Sequence, residues 1–127
     1  MNEKPKVTVE PFRGSVTVNF SDAIIASTRD ALLLKESGHD PVFYIPFRDI
    51  YFDFLWRSDT EYRCPRKGLA HYWNIEAVGE AEDDVMWAYE EPLPQASAVR
   101  EHGAFDPAKV RIEVTPEEDL LHRPHVP

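Results

Sequence analysis

The chain has 127 residues, room for one hydrophobic core but not for two ordinary ones. Its formal net charge of -9 at pH 7 argues against a general nucleic-acid binder, because such proteins neutralise phosphates with a surplus of Lys and Arg. The single cysteine excludes an intrachain disulfide, the polar start Met1-Asn2-Glu3-Lys4-Pro5-Lys6 lacks a signal peptide's apolar stretch, and no apolar run reaches membrane-spanning length, so a cytoplasmic protein with no membrane partner is expected.

Val7 and Val9 alternate with Lys6, Thr8 and Glu10, and Val16, Val18 and Phe20 alternate with Ser15, Thr17 and Asn19. With the break at 11–14 between them, this period of two predicts half-buried strands joined by a hairpin, and 23–26 continues the sheet. Residues 27–37 carry two readings. Ser27 with Asp30 resembles a helix capping box and Ala31-Leu32-Leu33-Leu34 suits a helix, whereas a short apolar run equally suits a buried strand. Residues 42–45 read as a strand set off by Gly38, Pro41 and Pro46, and 50–56 is dense in β-favouring rings. Further on, His71, Trp73, Ile75 and Ala77 share one face of a predicted strand, and Ala70, Tyr72, Asn74 and Glu76 share the other.

Residues 79–84 read as an acidic turn, and Val85, Trp87 and Tyr89 as one face of the next strand. Pro92 and Pro94 precede a short helix over 95–102 that Gly103 ends, and Val110, Ile112 and Val114 form the last strand. The expected fold is mainly β: a small single domain of antiparallel sheets over 1–114, with at most one or two short helices. Residues 115–127, mostly charged or proline, are expected to be a loose tail.

Candidate chemistry gathers in Cys64-Pro65-Arg66-Lys67-Gly68-Leu69-Ala70-His71-Tyr72-Trp73. Over 57–67, Arg57, Arg63, Arg66 and Lys67 outnumber Asp59 and Glu61, while every ionised side chain from Glu76 to Glu91 is acidic. A small basic island in an acidic protein suits one small anionic molecule better than a polyanion. Cys64 is the candidate catalytic nucleophile, its thiolate favoured by Arg63, Arg66 and Lys67, with His71 as base; the competing reading, which carries more weight, is a buried, inert thiol. Lys67 and Gly68 could hold a phosphate or carboxylate, with Lys67 meeting the anion and Arg66 adding a second cation, against the alternative of a solvated turn, although the spacing is not that of a Walker loop. Tyr44, Tyr72, Trp73, Trp87 and Tyr89 are candidate pocket linings that could equally be core. Tyr72 and Trp73 cannot both point inward from a regular strand, so at least one meets a groove or solvent. His39, His71, His102, His122 and His125 are scattered and no C-x-x-C pair exists, so no metal or other cofactor is expected.

Six stretches carry a resemblance: Ala31-Leu32-Leu33-Leu34-Lys35-Glu36, Pro41-Val42-Phe43-Tyr44-Ile45-Pro46, Cys64-Pro65-Arg66-Lys67-Gly68, Ala70-His71-Tyr72-Trp73, Trp87-Ala88-Tyr89 and Ala104-Phe105. In this order, over about 7–114, the chain resembles the bacterial domain of unknown function 427 family. The resemblance implies a fold similar to the β-tent of methionine sulfoxide reductase B proteins, places Glu36 beside the pocket, and brings no settled activity, although the family's name is sometimes linked to nucleotidyltransferases. Arg66 departs from the pattern, since an aromatic residue is common there. The leading expectation is a small-molecule-binding β domain whose ligand carries an anionic group. The alternatives are an enzyme, through Cys64 or nucleotidyl transfer, and a protein-interaction module, with a homo-oligomer formed through a paired sheet edge as one form of it.

Overall fold

The computed structural model describes residues 6–118, so most of the expected tail lies outside the described residues. Among the described residues ten strands make up two antiparallel sheets: β1 (Val7–Pro11), β2 (Gly14–Phe20), β3 (Ala23–Thr28), β4 (Leu32–Glu36), β5 (Val42–Pro46), β6 (Leu55–Cys64), β7 (Gly68–Ala77), β8 (Glu80–Ala88), β9 (His102–Phe105) and β10 (Arg111–Pro116). The larger sheet runs β1-β4-β5-β9-β8-β7-β6 and the smaller β10-β2-β3. The mainly β, single-domain expectation holds.

Alternation sets the layers. Val16, Val18 and Phe20 of β2 pack with Ile45, Trp73, Ile75, Met86 and Phe105, forming a core between the two sheets. Tyr44 and Ala104, next to Ile45 and Phe105, and Ala70, three positions before Trp73, point to the opposite face of the large sheet, where they join Leu34, Cys64, Tyr89, Ala96 and Val99 in a second core. The large sheet is strongly curled around this second core. In a flat sheet β4 and β6, five strand spacings apart, would be about 24 Å from each other. Yet side chains of the β6–β7 turn bond Glu36 at the end of β4.

Several expectations are corrected. β1 and β2 form no hairpin: β1 pairs with β4, whereas β2 pairs with β3 and β10. Period two reports which residues share a face and leaves the partner open, and here Phe12, edge-on to Phe43 at 5.0 Å, carries the chain from one sheet to the other. The ambiguous 27–37 segment is strand, not helix. Its turn is held by Thr28, whose hydroxyl accepts from the Asp30 N–H at 2.9 Å and donates to Asp49 Oδ2 at 2.7 Å. The aromatic run 50–56 is broken by a 3-10 turn at Phe52–Phe54, following one at Phe47–Asp49, because Phe47 and Phe52 turn edge-on to each other and to Trp73. The expected helix at 95–102 is a 3-10 segment, Pro94–Val99, and Gly103 lies inside β9, where a Cβ would come within 2.6 Å of Met86 Sδ.

The acidic residues 80–84 are the start of β8 and not a turn. The β7–β8 connection is Val78-Gly79, with φ of 55° and 74°. Both central residues in the left-handed region make the two-residue turn that follows strand twist, a conformation suited to Asn-Gly and strained for an exposed valine. Val78→Asn is therefore expected to stabilise the protein by about 1 kcal/mol, read as a melting temperature about 3 °C higher. No gain would show that the turn tolerates valine without strain.

Two irregularities shape the β6–β8 ladder. Val85 lies in a bulge that shifts β8 against β7 between Trp73 and Ile75, so it packs in the first core while Trp87 and Tyr89 belong to the second; the three do not share a face as expected. Between Arg57 and Glu61, four steps along β6 are matched by only two along β7, from Trp73 to His71. The Ser58 and Thr60 hydroxyls in this bulge donate to the two carboxylate oxygens of Asp84 at 2.6 and 2.7 Å.

Candidate functional site

Glu36 is the last residue of β4, and its side chain is only 7% exposed. A buried carboxylate needs compensation, and the β6–β7 turn supplies it. Lys67 Nζ donates to Oε1 at 2.9 Å and Arg66 Nη1 to Oε2 at 2.7 Å, while His39 Nε2 lies 3.9 Å away. Burial alone pushes the Glu36 carboxyl up. The hydrogen bond and charge of Lys67, then the Arg66 bond and His39, outweigh it and hold the group below its ordinary value. Lys67 is itself 15% exposed and lies 5.6 Å from the centre of the Tyr89 ring, so both its charge and its stem are enclosed. The turn is fastened from outside, where the Leu93 N–H donates to the Lys67 carbonyl at 2.9 Å.

Beside this cluster opens a cleft of about 430 Å³. Leu34, Val42, Tyr62 and Pro65 give it apolar lining, Cys64 reaches it from the second core, and its charged lining is Glu36, His39, Asp40, Arg66 and Lys67. Further along the same face of the large sheet, the Trp87 Nε1–H donates to the fully buried Tyr44 hydroxyl at 3.2 Å, and Tyr72 lies 6.4 Å from Trp87, ring to ring. Burial raises the pKa of the Tyr44, Tyr89 and Tyr72 phenols, with the Asp84 charge adding to the effect on Tyr72. All three keep their protons at neutral pH.

Of the residues singled out from sequence, Glu36, Cys64 and Lys67 meet at the cleft, and Tyr44, Tyr72, Trp87 and Tyr89 lie on the same face behind it. Trp73 does not join them. It faces the first core with Phe47 and Phe52, under the Arg57 guanidinium at 5.0 Å, as the alternation of Tyr72 and Trp73 requires. Gly68 is also elsewhere, with the backbone of Glu91 and Leu93 3.3 and 3.5 Å from where its Cβ would be; its lack of a side chain admits a neighbouring chain segment. His71 shares Trp73's side of β7, opposite Tyr72, so it is not the base beside Cys64.

Sequence reasoning passed over Tyr62 and the wall residues Leu34 and Val42. The signal for Tyr62 was available: it stands two residues before Cys64 in one strand and so shares its face. A larger, more open hollow of about 700 Å³ includes Arg48, Glu90, Arg100 and Glu101. There Arg48 already pairs with Asp30 and Glu90 with Arg57, and the lining carries both signs of charge.

A family model described as a domain of unknown function (DUF427) matches residues 8–116. No curated protein matches the chain.

Proposed function

The chain belongs to the DUF427 family, whose description assigns no activity, and from that premise we propose that it binds a small molecule carrying an anionic group in the cleft between the end of β4 and the β6–β7 turn. The observation that carries this reading is the arrangement around Glu36, where two cations converge on one carboxylate and leave one positive charge over, beside apolar walls. Asp40 sits on the exposed rim, where water screens it. Lys67 is committed to Glu36 and largely enclosed, so its part is charge from behind. Arg66, 35% exposed and using one of its five N–H donors on Glu36, is the group that meets the anion. This shifts the contact one residue from the position expected from sequence.

The enzyme alternatives draw less support from the geometry. Cys64 is buried and His71 stands on the other side of its sheet. The acids of 80–84 are strung along β8, and Asp84 is taken by the Ser58 and Thr60 hydroxyls, whereas magnesium-dependent transfer would want convergent carboxylates free to ligate.

The test is a thermal-shift and calorimetric screen of small carboxylates and phosphates against wild type and Arg66→Ala. Binding to the folded state raises the melting temperature, and loss of one charge-assisted contact is expected to weaken affinity about tenfold. A panel that leaves wild type unmoved, or that binds Arg66→Ala equally well, would overturn the reading.

A further inference from the structure

The geometry points to a planar ring as the body of the ligand, read by Tyr62; this rests on the anion-binding reading above. Tyr62 is a large ring left 53% exposed in a β-strand, facing the cleft from the wall that also holds Pro65 and Cys64. Its register partner on β7 is Ala70, a methyl group already buried in the second core and too small to cover the phenol. The other rings on this face are engaged: Trp87 with Tyr44 through a hydrogen bond, Tyr72 with Trp87, and Tyr89 under the Lys67 ammonium. Among the described residues, Tyr62 has no aromatic partner.

The aliphatic side chains of Leu34 and Val42 line the same cleft, from β4 and β5 in the other half of the curled sheet. A phenol and branched aliphatics lining one cleft offer a ligand apolar surface, and a flat ring can stack on the phenol while covering the aliphatics. The cleft's charged end is Arg66 and Lys67, held by Glu36. The ligand class that satisfies both ends is therefore an aromatic ring bearing a carboxylate or a phosphate. The phenol's own proton is not needed for stacking, which separates the ring's role from hydrogen bonding by the hydroxyl.

Titration calorimetry with four probes tests this: acetate and benzoate, inorganic phosphate and phenyl phosphate. Wild type is expected to bind the ring-bearing member of each pair about fivefold more tightly than its ringless counterpart. Cyclohexanecarboxylate, as apolar as benzoate but not planar, is expected to fall short of it. Tyr62→Ala should remove the ring's advantage without changing acetate or phosphate binding, and Tyr62→Phe should keep it. The pair with the higher affinity identifies the acid group. Equal affinity for ringed and ringless probes in wild type overturns this inference and leaves the anion site standing. A ring preference that survives Tyr62→Ala, or that cyclohexanecarboxylate matches, overturns the stacking assignment. Failure of all the probes overturns the anion site and this inference together.

Discussion

Glu36→Leu is expected to lower the unfolding free energy by about 3 kcal/mol at neutral pH, because it leaves an enclosed ammonium and a guanidinium without their shared carboxylate. Glu36→Gln should cost less, since the amide oxygen still accepts from one of the two donors. The pH dependence separates charge from shape. The carboxyl is held below its ordinary 4.5 in the folded protein and returns to it on unfolding, so the unfolded state binds the proton more readily. The stabilisation is complete above about pH 4.5 and fades as the pH falls through the lower folded value. Urea midpoints of wild type and Glu36→Gln should thus differ most at neutral pH and converge in acid. A difference that stays constant from pH 7 to pH 3 would mean that the Lys67–Glu36–Arg66 cluster does not stabilise through its charge.

Gly14→Ala is expected to cost about 4 kcal/mol, the larger of the two effects. Gly14 opens β2 opposite Pro116 at the end of β10, and a Cβ there would lie 2.3 Å from the Thr115 carbonyl oxygen and 2.9 Å from both Pro116 Cα and Phe12 Cε2. Two of those three atoms are backbone, so relief requires the strands to separate. Its φ of 144° adds a conformation that alanine adopts with strain. The pairing of β10 with β2 closes the smaller sheet, so the loss should appear as a lower denaturation midpoint with the cooperativity kept. A loss below about 1 kcal/mol would show that this strand end yields easily.

The sequence made the faces legible and hid the partners. Alternation in 15–20 and 70–77 correctly separated Val16 from Thr17 and Trp73 from Tyr72, because side-chain direction in a strand is local. That β1 joins β4 and β2 joins β10 depends on contacts between positions far apart in the chain, from Pro11–Leu32 and Val7–Glu36 to Asn19–Arg111, and no local pattern encodes them. The same holds at the site. Lys67 reads as a free cation in its loop, yet its charge is shared with a carboxylate 31 positions away, and only the family resemblance placed Glu36 nearby. The acidic run at 80–84 was misread for a different reason. Composition suggested a turn, whereas the turn itself is Val78-Gly79, where valine occupies a position that turn chemistry assigns to asparagine.

The bulge in β6 has a consequence for how the molecule behaves in a crowded solution. β6 ends the large sheet, so its outer N–H and C=O groups are a ready template for a strand from another chain. The slip between Arg57 and Glu61 divides that template into two short pieces, and the Ser58 and Thr60 hydroxyls, drawn to Asp84, keep the middle from straightening. An incoming strand would find a continuous ladder over no more than a few residues on either side. The kink that links β6 to Asp84 thus also guards the sheet's longest border against runaway strand addition.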